Sequence, residues 1–170
     1  LATALRTIGP YRILDEIGRG EFGIVFHAQH QQTQDEVALR VLLGELARDA
    51  NYLMRLERQA ARLRQLRYPG IAHLVGTGRV GDLAYVATRY VRGKPLDEWL
   101  RTASPPTIER LELLVKLAEA LAYAHDHNVL HLRLSPKEIL VDEDGLPWIT
   151  DFGLLQPIVV DEEVANLDAL

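Results

Sequence analysis

The sequence predicts an α+β fold in two parts: a five-stranded antiparallel sheet with one accompanying helix, then a mainly helical region. Three observations carry this expectation. Strand-like runs fill most of the stretch up to Val91, a single apolar stripe at helical spacing interrupts them, and after Arg92-Gly93 the pattern turns helical. With 170 residues the chain can hold one domain with a sizeable core, or two small lobes sharing a cleft.

Residues 1–10 read as an N-terminal extension. From Tyr11 to Leu43 the runs YRILDEIG, GIVFHAQ and EVALRVLL are separated by a glycine-rich turn and the polar stretch His30 to Asp35, the layout of an antiparallel meander. From about Asp49 to Arg67, Leu53, Leu56, Ala60, Leu63 and Leu66 recur at steps of three and four and make one apolar face. Pro69-Gly70 stops that helix. The runs IAHLVGTG and LAYVATRYV, joined at Gly81-Asp82, supply the fourth and fifth strands. A short helix near Leu96 to Thr102 precedes a long one from about Thr107 to His127, with Ile108, Leu111, Val115, Ala118 and Ala122 on one face. Ser104-Pro105-Pro106-Thr107 opens the long helix, because proline tolerates a first turn and Ser or Thr can cap it. Val129 to Leu155 reads as loops and short strands.

Composition narrows the functional classes. Hydrophobic residues make up 48% and charged residues 25%, the profile of a folded globular chain. A formal net charge of -5 gives no general attraction to nucleic acid or to an anionic membrane. Cys is absent, which removes disulfides and thiolate metal sites and fits a reducing compartment, so the expected location is cytoplasmic. No apolar run approaches the roughly 20 residues of a membrane-spanning helix.

Gly18-Arg19-Gly20-Glu21-Phe22-Gly23-Ile24-Val25 has the form G-x-G-x-x-G-x-V, with glycines where a backbone must approach phosphates closely. Taken alone, the same glycines serve a tight hairpin equally well. The downstream motifs decide more. Val37-Ala38-Leu39-Arg40 lies on the third strand, then come His131-Leu132-Arg133-Leu134-Ser135-Pro136-Lys137-Glu138-Ile139-Leu140 and, near the end, Asp151-Phe152-Gly153. Order and spacing resemble those of the eukaryotic-type (Hanks-type) Ser/Thr protein kinase family, in which V-A-I-K, H-R-D-L-K-P-E-N and D-F-G come after the glycine-rich loop. The resemblance runs from about Tyr11 to Leu154 and is strongest to bacterial Ser/Thr kinases.

The resemblance implies a two-lobed kinase-like fold, with an N-lobe over residues 11–88, a hinge over 89–92 and a partial C-lobe over 93–170. It also implies an ATP cleft. Gly18, Gly20 and Gly23 match the loop over the phosphates, Val25 and Ala38 cover the adenine from above, and Leu140 lies below it. Thr88 falls at the gatekeeper position, and Arg89 to Val91 form the hinge that meets the adenine edge. Leu63, Leu74, His131 and Phe152 match the stacked column that ties the lobes together. Any two-lobed fold needs apolar groups at most of these places, so their retention speaks for the fold more than for the chemistry.

Phosphoryl transfer needs particular charges, and here the chain departs from the family. A kinase sets a strand Lys against a helix Glu, holds magnesium with an Asn and the D-F-G Asp, and orients the substrate hydroxyl with the catalytic-loop Asp. The Lys position is Arg40 and the Glu position is Gln59, so that ion pair is lost; the first lysine of the chain is Lys94, beyond the hinge. Arg133 stands at the catalytic Asp position and cannot accept a proton, since a guanidinium carries donors and no acceptor. Ser135 replaces the catalytic-loop Lys, and Glu138 replaces the metal-binding Asn. Glu138 and Asp151 are the two candidate magnesium ligands; Asp151 serves equally as an acid paired with Arg40 or Arg133.

Other features have plainer readings. His125, His127 and His131 lack the carboxylate or fourth ligand of a zinc site, and the family pattern accounts for two of them. Arg55, Arg58, Arg62, Arg64 and Arg67 make a solvated face with docking potential for a partner. After Leu154 no A-P-E match occurs, so the chain reads as a fragment or as a shortened fold, and the apolar stripe of the long helix needs another cover. The expected function is a signalling pseudokinase that regulates or scaffolds a protein partner, with weak or absent ATP binding. The alternatives are an active Ser/Thr kinase, in which Arg40 serves the phosphates and Glu138 with Asp151 holds magnesium, and an ATP-binding switch without transfer. The stripe around Leu111, Leu114, Val115 and Ala118 is expected to be covered by self-association or by the tail from Leu155 onward.

Overall fold

The computed structural model describes residues 7–20, 23–42, 44 and 47–152. Glu21, Phe22, Leu43, Gly153, Leu154 and the tail from Leu155 lie outside the described residues, and with them the expected fold of the tail over the long helix.

The first part is a sheet ordered β1-β2-β3-β4-β6-β5, built from β1 (Thr7–Ile8), β2 (Tyr11–Gly20), β3 (Gly23–His30), β4 (Glu36–Leu42), β5 (Leu74–Val80) and β6 (Leu83–Arg89). It has six strands instead of the expected five. Thr7 and Ile8, within the stretch read as an extension, pair with Arg12 and Tyr11, and Ile8 is buried, so the hairpin at Gly9-Pro10 adds an edge. Every pairing in this sheet is antiparallel, as the short polar connections dictate.

β4 is central, and its alternation divides the lobe. Val37, Leu39 and Val41 point into one core with Tyr11, Phe26 and Ala87. Ala38, Arg40 and Leu42 point the other way, where Leu42 joins Ala84 and Val86 against the helix α1 (Ala50–Leu63). Asp49 caps α1, its carboxylate accepting from the backbone N–H of Asn51 at 2.8 Å and of Tyr52 at 3.1 Å. The apolar face is the predicted one: Leu53, Leu56, Ala60 and Leu63 are buried. The helix stops before Arg67 because its last turn tightens, with Gln65 N–H bonding Arg62 O and Leu66 N–H bonding Leu63 O, both at 3.1 Å. Leu66 still reaches the core.

The second part holds β7 (Gly93–Pro95), α2 (Leu96–Ala103), α3 (Thr107–Asp126), β8 (Ile139–Asp142) and β9 (Pro147–Ile149), with the strands in a small antiparallel sheet. The strand expected from Ile71 begins only at Leu74. Ile71 instead bridges Ile149, with Ala72 N–H bonding Ile149 O at 2.9 Å and Ile149 N–H bonding Gly70 O at 2.7 Å. That clamp joins the parts, and one core runs through both, from Leu42 and Ala84 to Leu117, Ala120 and Ile149.

α3 is apolar on two sides. Leu113, Leu117, Ala120 and Ala124 are buried, whereas Ile108, Leu111, Leu114 and Val115 are 62%, 53%, 55% and 57% exposed. The stripe that the sequence singles out is thus the uncovered one among the described residues, and a second stripe, on another side of the helix, makes the core. The expected side-chain cap is also absent: Pro106 occupies the N-cap, and Ser104 turns the chain in left-handed conformation at φ 44°.

Gly23 is fixed by the fold itself. It sits at φ +135°, and an added Cβ would lie 1.9 Å from Val41 O, whereas at Gly20 an added Cβ meets nothing within 4 Å. Gly23→Ala is expected to cost roughly 1–3 kcal/mol. Gly20→Ala should stay within about 0.5 kcal/mol. Thermal or urea unfolding of the two variants measures the contrast.

Candidate functional site

The strand register collects the site. Val25 pairs with Arg40 and Ala38 with Thr88, so Val25, Ala38, Arg40 and Thr88 lie on one face of the sheet, each half-buried. The Thr88 hydroxyl donates to Ala38 O at 3.5 Å. On β8, Ile139 and Val141 enter the core and Leu140 alternates to the opposite face, paired with Trp148 and Pro95. The hinge comes directly after β6. Arg89 N–H donates to His73 O at 2.9 Å, Tyr90 N–H to Glu36 O at 3.3 Å, and Val91 is buried. The Arg89 guanidinium lies over the Trp148 ring, 4.4 Å from its centroid, and Trp148 Nε1 donates to Asp142 at 2.8 Å. Arg89 thus fastens the hinge to the second sheet, a role that sequence reasoning missed because its partner lies across the fold.

The column is assembled. Leu63, Leu74, His131 and Phe152 are all buried, with the His131 and Phe152 rings 4.9 Å apart between centroids. His131 Nε2 donates to Thr150 O at 2.7 Å, and its buried Nδ1 has no hydrogen-bond partner among the described residues. Leu132 and Asp151 adopt left-handed backbone, at φ 65° and 55°. Those two kinks set the side chains on either side of the column.

The charged groups close on one another. Arg40 Nη2 donates to the Asp151 carboxylate, and this pair joins the sheet to the segment after β9. The Ser135 hydroxyl donates to the Glu138 carboxylate inside a tight turn, where Glu138 N–H bonds Ser135 O at 3.1 Å. Thr150 then clamps the turn, its N–H and hydroxyl reaching Glu138 O at 2.8 and 3.0 Å. Arg133 is exposed one residue beyond Leu132. Gln59 is half-buried on α1 and lines a cavity of about 190 Å³ with Arg62, Leu63, Leu130, Leu132 and Phe152, so Arg40 draws its carboxylate from Asp151 and not from α1.

Sequence reasoning does not single out Tyr52. Its hydroxyl is buried without a hydrogen-bond partner among the described residues, and burial raises its pKa against the opposing pull of Arg40 and Arg55. Only its place on the core face of α1 is legible in the sequence; its nearness to Arg40 is not.

Val25 and Ala38 share one face of the first sheet, and Leu140 lies on the second sheet. A magnesium ion here would compete with donors of this chain. It keeps several waters and takes only one or two protein carboxylates besides substrate phosphates, and both candidate carboxylates are already engaged at one oxygen. Among the described residues no group of three or more His, Cys, Asp or Glu side chains could hold a metal ion.

The chain is 32% identical over 151 residues to the serine/threonine-protein kinase PrkC of Bacillus subtilis, a match covering 88% of this chain and 23% of that protein. It is 29% identical over 160 residues to the serine/threonine-protein kinase PknH of Mycobacterium bovis, covering 94% of this chain and 27% of that one. The chain therefore spans about a quarter of the length of these relatives. Among solved structures, a mutant of the Mycobacterium tuberculosis PknI kinase domain superposes with a TM-score of 0.77 at 26% identity, covering 91% of this chain and 63% of that one. The protein kinase domain model matches residues 11–167, and the chain accordingly belongs to the protein kinase domain family.

Proposed function

We propose that this domain is a catalytically inactive kinase, a pseudokinase that acts by binding another protein. The observation that carries the reading is Arg133 at the place where a kinase has the acid that orients the substrate hydroxyl. A guanidinium has five donors and no acceptor, so it can neither take the proton nor position the nucleophile. The engaged pairs point the same way. Arg40, the cation nearest to the phosphate-binding role, is spent on Asp151. An active site with Glu138 and Asp151 holding magnesium would share those carboxylates with Arg40 and Ser135 and would still lack a base.

Gly18 and Gly20 support a nucleotide-binding role beside the inactive one. Neither sits at positive φ, and an added Cβ would meet ordinary contact or open space, so the fold alone does not require glycine there. Backbone accessible to a ligand does require it. The protein-facing surface is the exposed stripe of α3, whose large apolar groups gain from cover. A second copy of the chain is the expected cover in isolation.

Incubation with radiolabelled ATP and a generic protein substrate is expected to give no transfer. Stoichiometric labelling that disappears in Asp151→Ala would overturn the inactive assignment. A double-mutant cycle on Arg40→Met and Asp151→Ala should return a coupling of roughly 0.5–3 kcal/mol, read from urea unfolding. Light scattering is expected to find the chain self-associated, and Leu111→Glu with Val115→Glu, both on the exposed stripe, should return it to monomer.

A further inference from the structure

The disposition of the two carboxylates points to more than lost catalysis. We infer that this cleft takes an adenine nucleotide as the metal-free anion, and that magnesium adds nothing to its affinity. The inference deepens the nucleotide-binding role proposed above and rests on it.

In a kinase the metal does two jobs: it bridges the phosphate oxygens and it neutralises their charge next to protein carboxylates. Here both carboxylates already have cationic or hydroxyl donors of their own. Asp151 is paired with Arg40, whose side chain is only 17% exposed and is fixed by strand pairing between Val25 and Val86. Glu138 is held by Ser135 within a four-residue turn that is pinned to Thr150. A divalent cation at Asp151 would stand against the Arg40 guanidinium, and at close range in a partly buried site like charges repel strongly. It would also have to give up water for oxygens that are already hydrogen-bonded, which magnesium does reluctantly.

The anion has less need of the metal than in a kinase. With Arg133 at the catalytic Asp position, the repulsion between an acid there and the phosphates is gone. Arg40 keeps Asp151 neutralised from within. Affinity then comes from the adenine frame of Val25, Ala38 and Leu140 and from backbone at Gly18 and Gly20, none of which uses a metal. Mostly apolar walls with a few polar groups are the ordinary make-up of a small-molecule site.

Calorimetry of the whole chain with ADP and with ATP, each in EDTA and in excess magnesium, tests this. The expected result is saturable binding in EDTA with a Kd that magnesium changes by less than about threefold, well short of the tenfold that 1.4 kcal/mol represents. A double variant, Arg40→Met with Ser135→Ala, frees both carboxylates and should acquire a magnesium dependence of about tenfold or more. Its circular dichroism is checked first, and the wild-type comparison decides the matter if that variant does not fold. Binding that requires magnesium overturns the inference, as does absence of binding in both buffers. Label transfer to a substrate would instead overturn the inactive assignment, and the two failures are distinguishable because one is read without turnover.

Discussion

The period of two along β4 governs this molecule. A central strand buried on both sides must send every second residue to each face, and seven residues are enough to serve a closed core and an open cleft at once. Val37, Leu39 and Val41 close the outer core, while Ala38 and Arg40 face the cleft and Leu42 meets α1. A slip of one residue would put a guanidinium into the outer core and valines into the cleft. The glycine-rich loop depends on the same strand, since Gly23 passes so close over Val41 O that no side chain fits between them.

Electrostatics is set by that placement. Arg40 is delivered to the cleft by register, and the only way to keep its guanidinium half-buried is to supply an acid. Asp151 does so from a residue 111 positions away, held in left-handed backbone beside the buried Phe152. Within a kinase-like frame the strand cation is thus paired with the acid of the D-F-G motif.

Much of the fold was legible because its signals are local. The meander and the apolar face of α1 come from spacing and turn residues, and the structure keeps them, whereas the hinge was placed by the family resemblance. The errors have physical causes. The stripe of α3 was ambiguous because Leu, Val and Ala occupy two sides of the helix, so periodicity finds an apolar face without saying which one is covered. The end of α1 was set by a tightened last turn, and the start of β5 by a bridge from Ile71 to Ile149, contacts that no local pattern announces. At the site, sequence left Asp151 open between a metal and an arginine, Arg40 or Arg133, and the structure pairs it with Arg40, a choice that belongs to the packing of one lobe on the other.

The stack of Arg89 on Trp148 has an optical consequence. The chain has two tryptophans, and the other, Trp99, lies on α2. Trp148 sits where the hinge meets the second sheet, with a cation over its ring and Asp142 on its indole N–H. An indole excited state moves charge across the ring, so its emission colour tracks the charges around it. A movement that drew Arg89 off that ring would change the charge beside the indole, so Trp148 is a built-in reporter of this contact between hinge and second sheet.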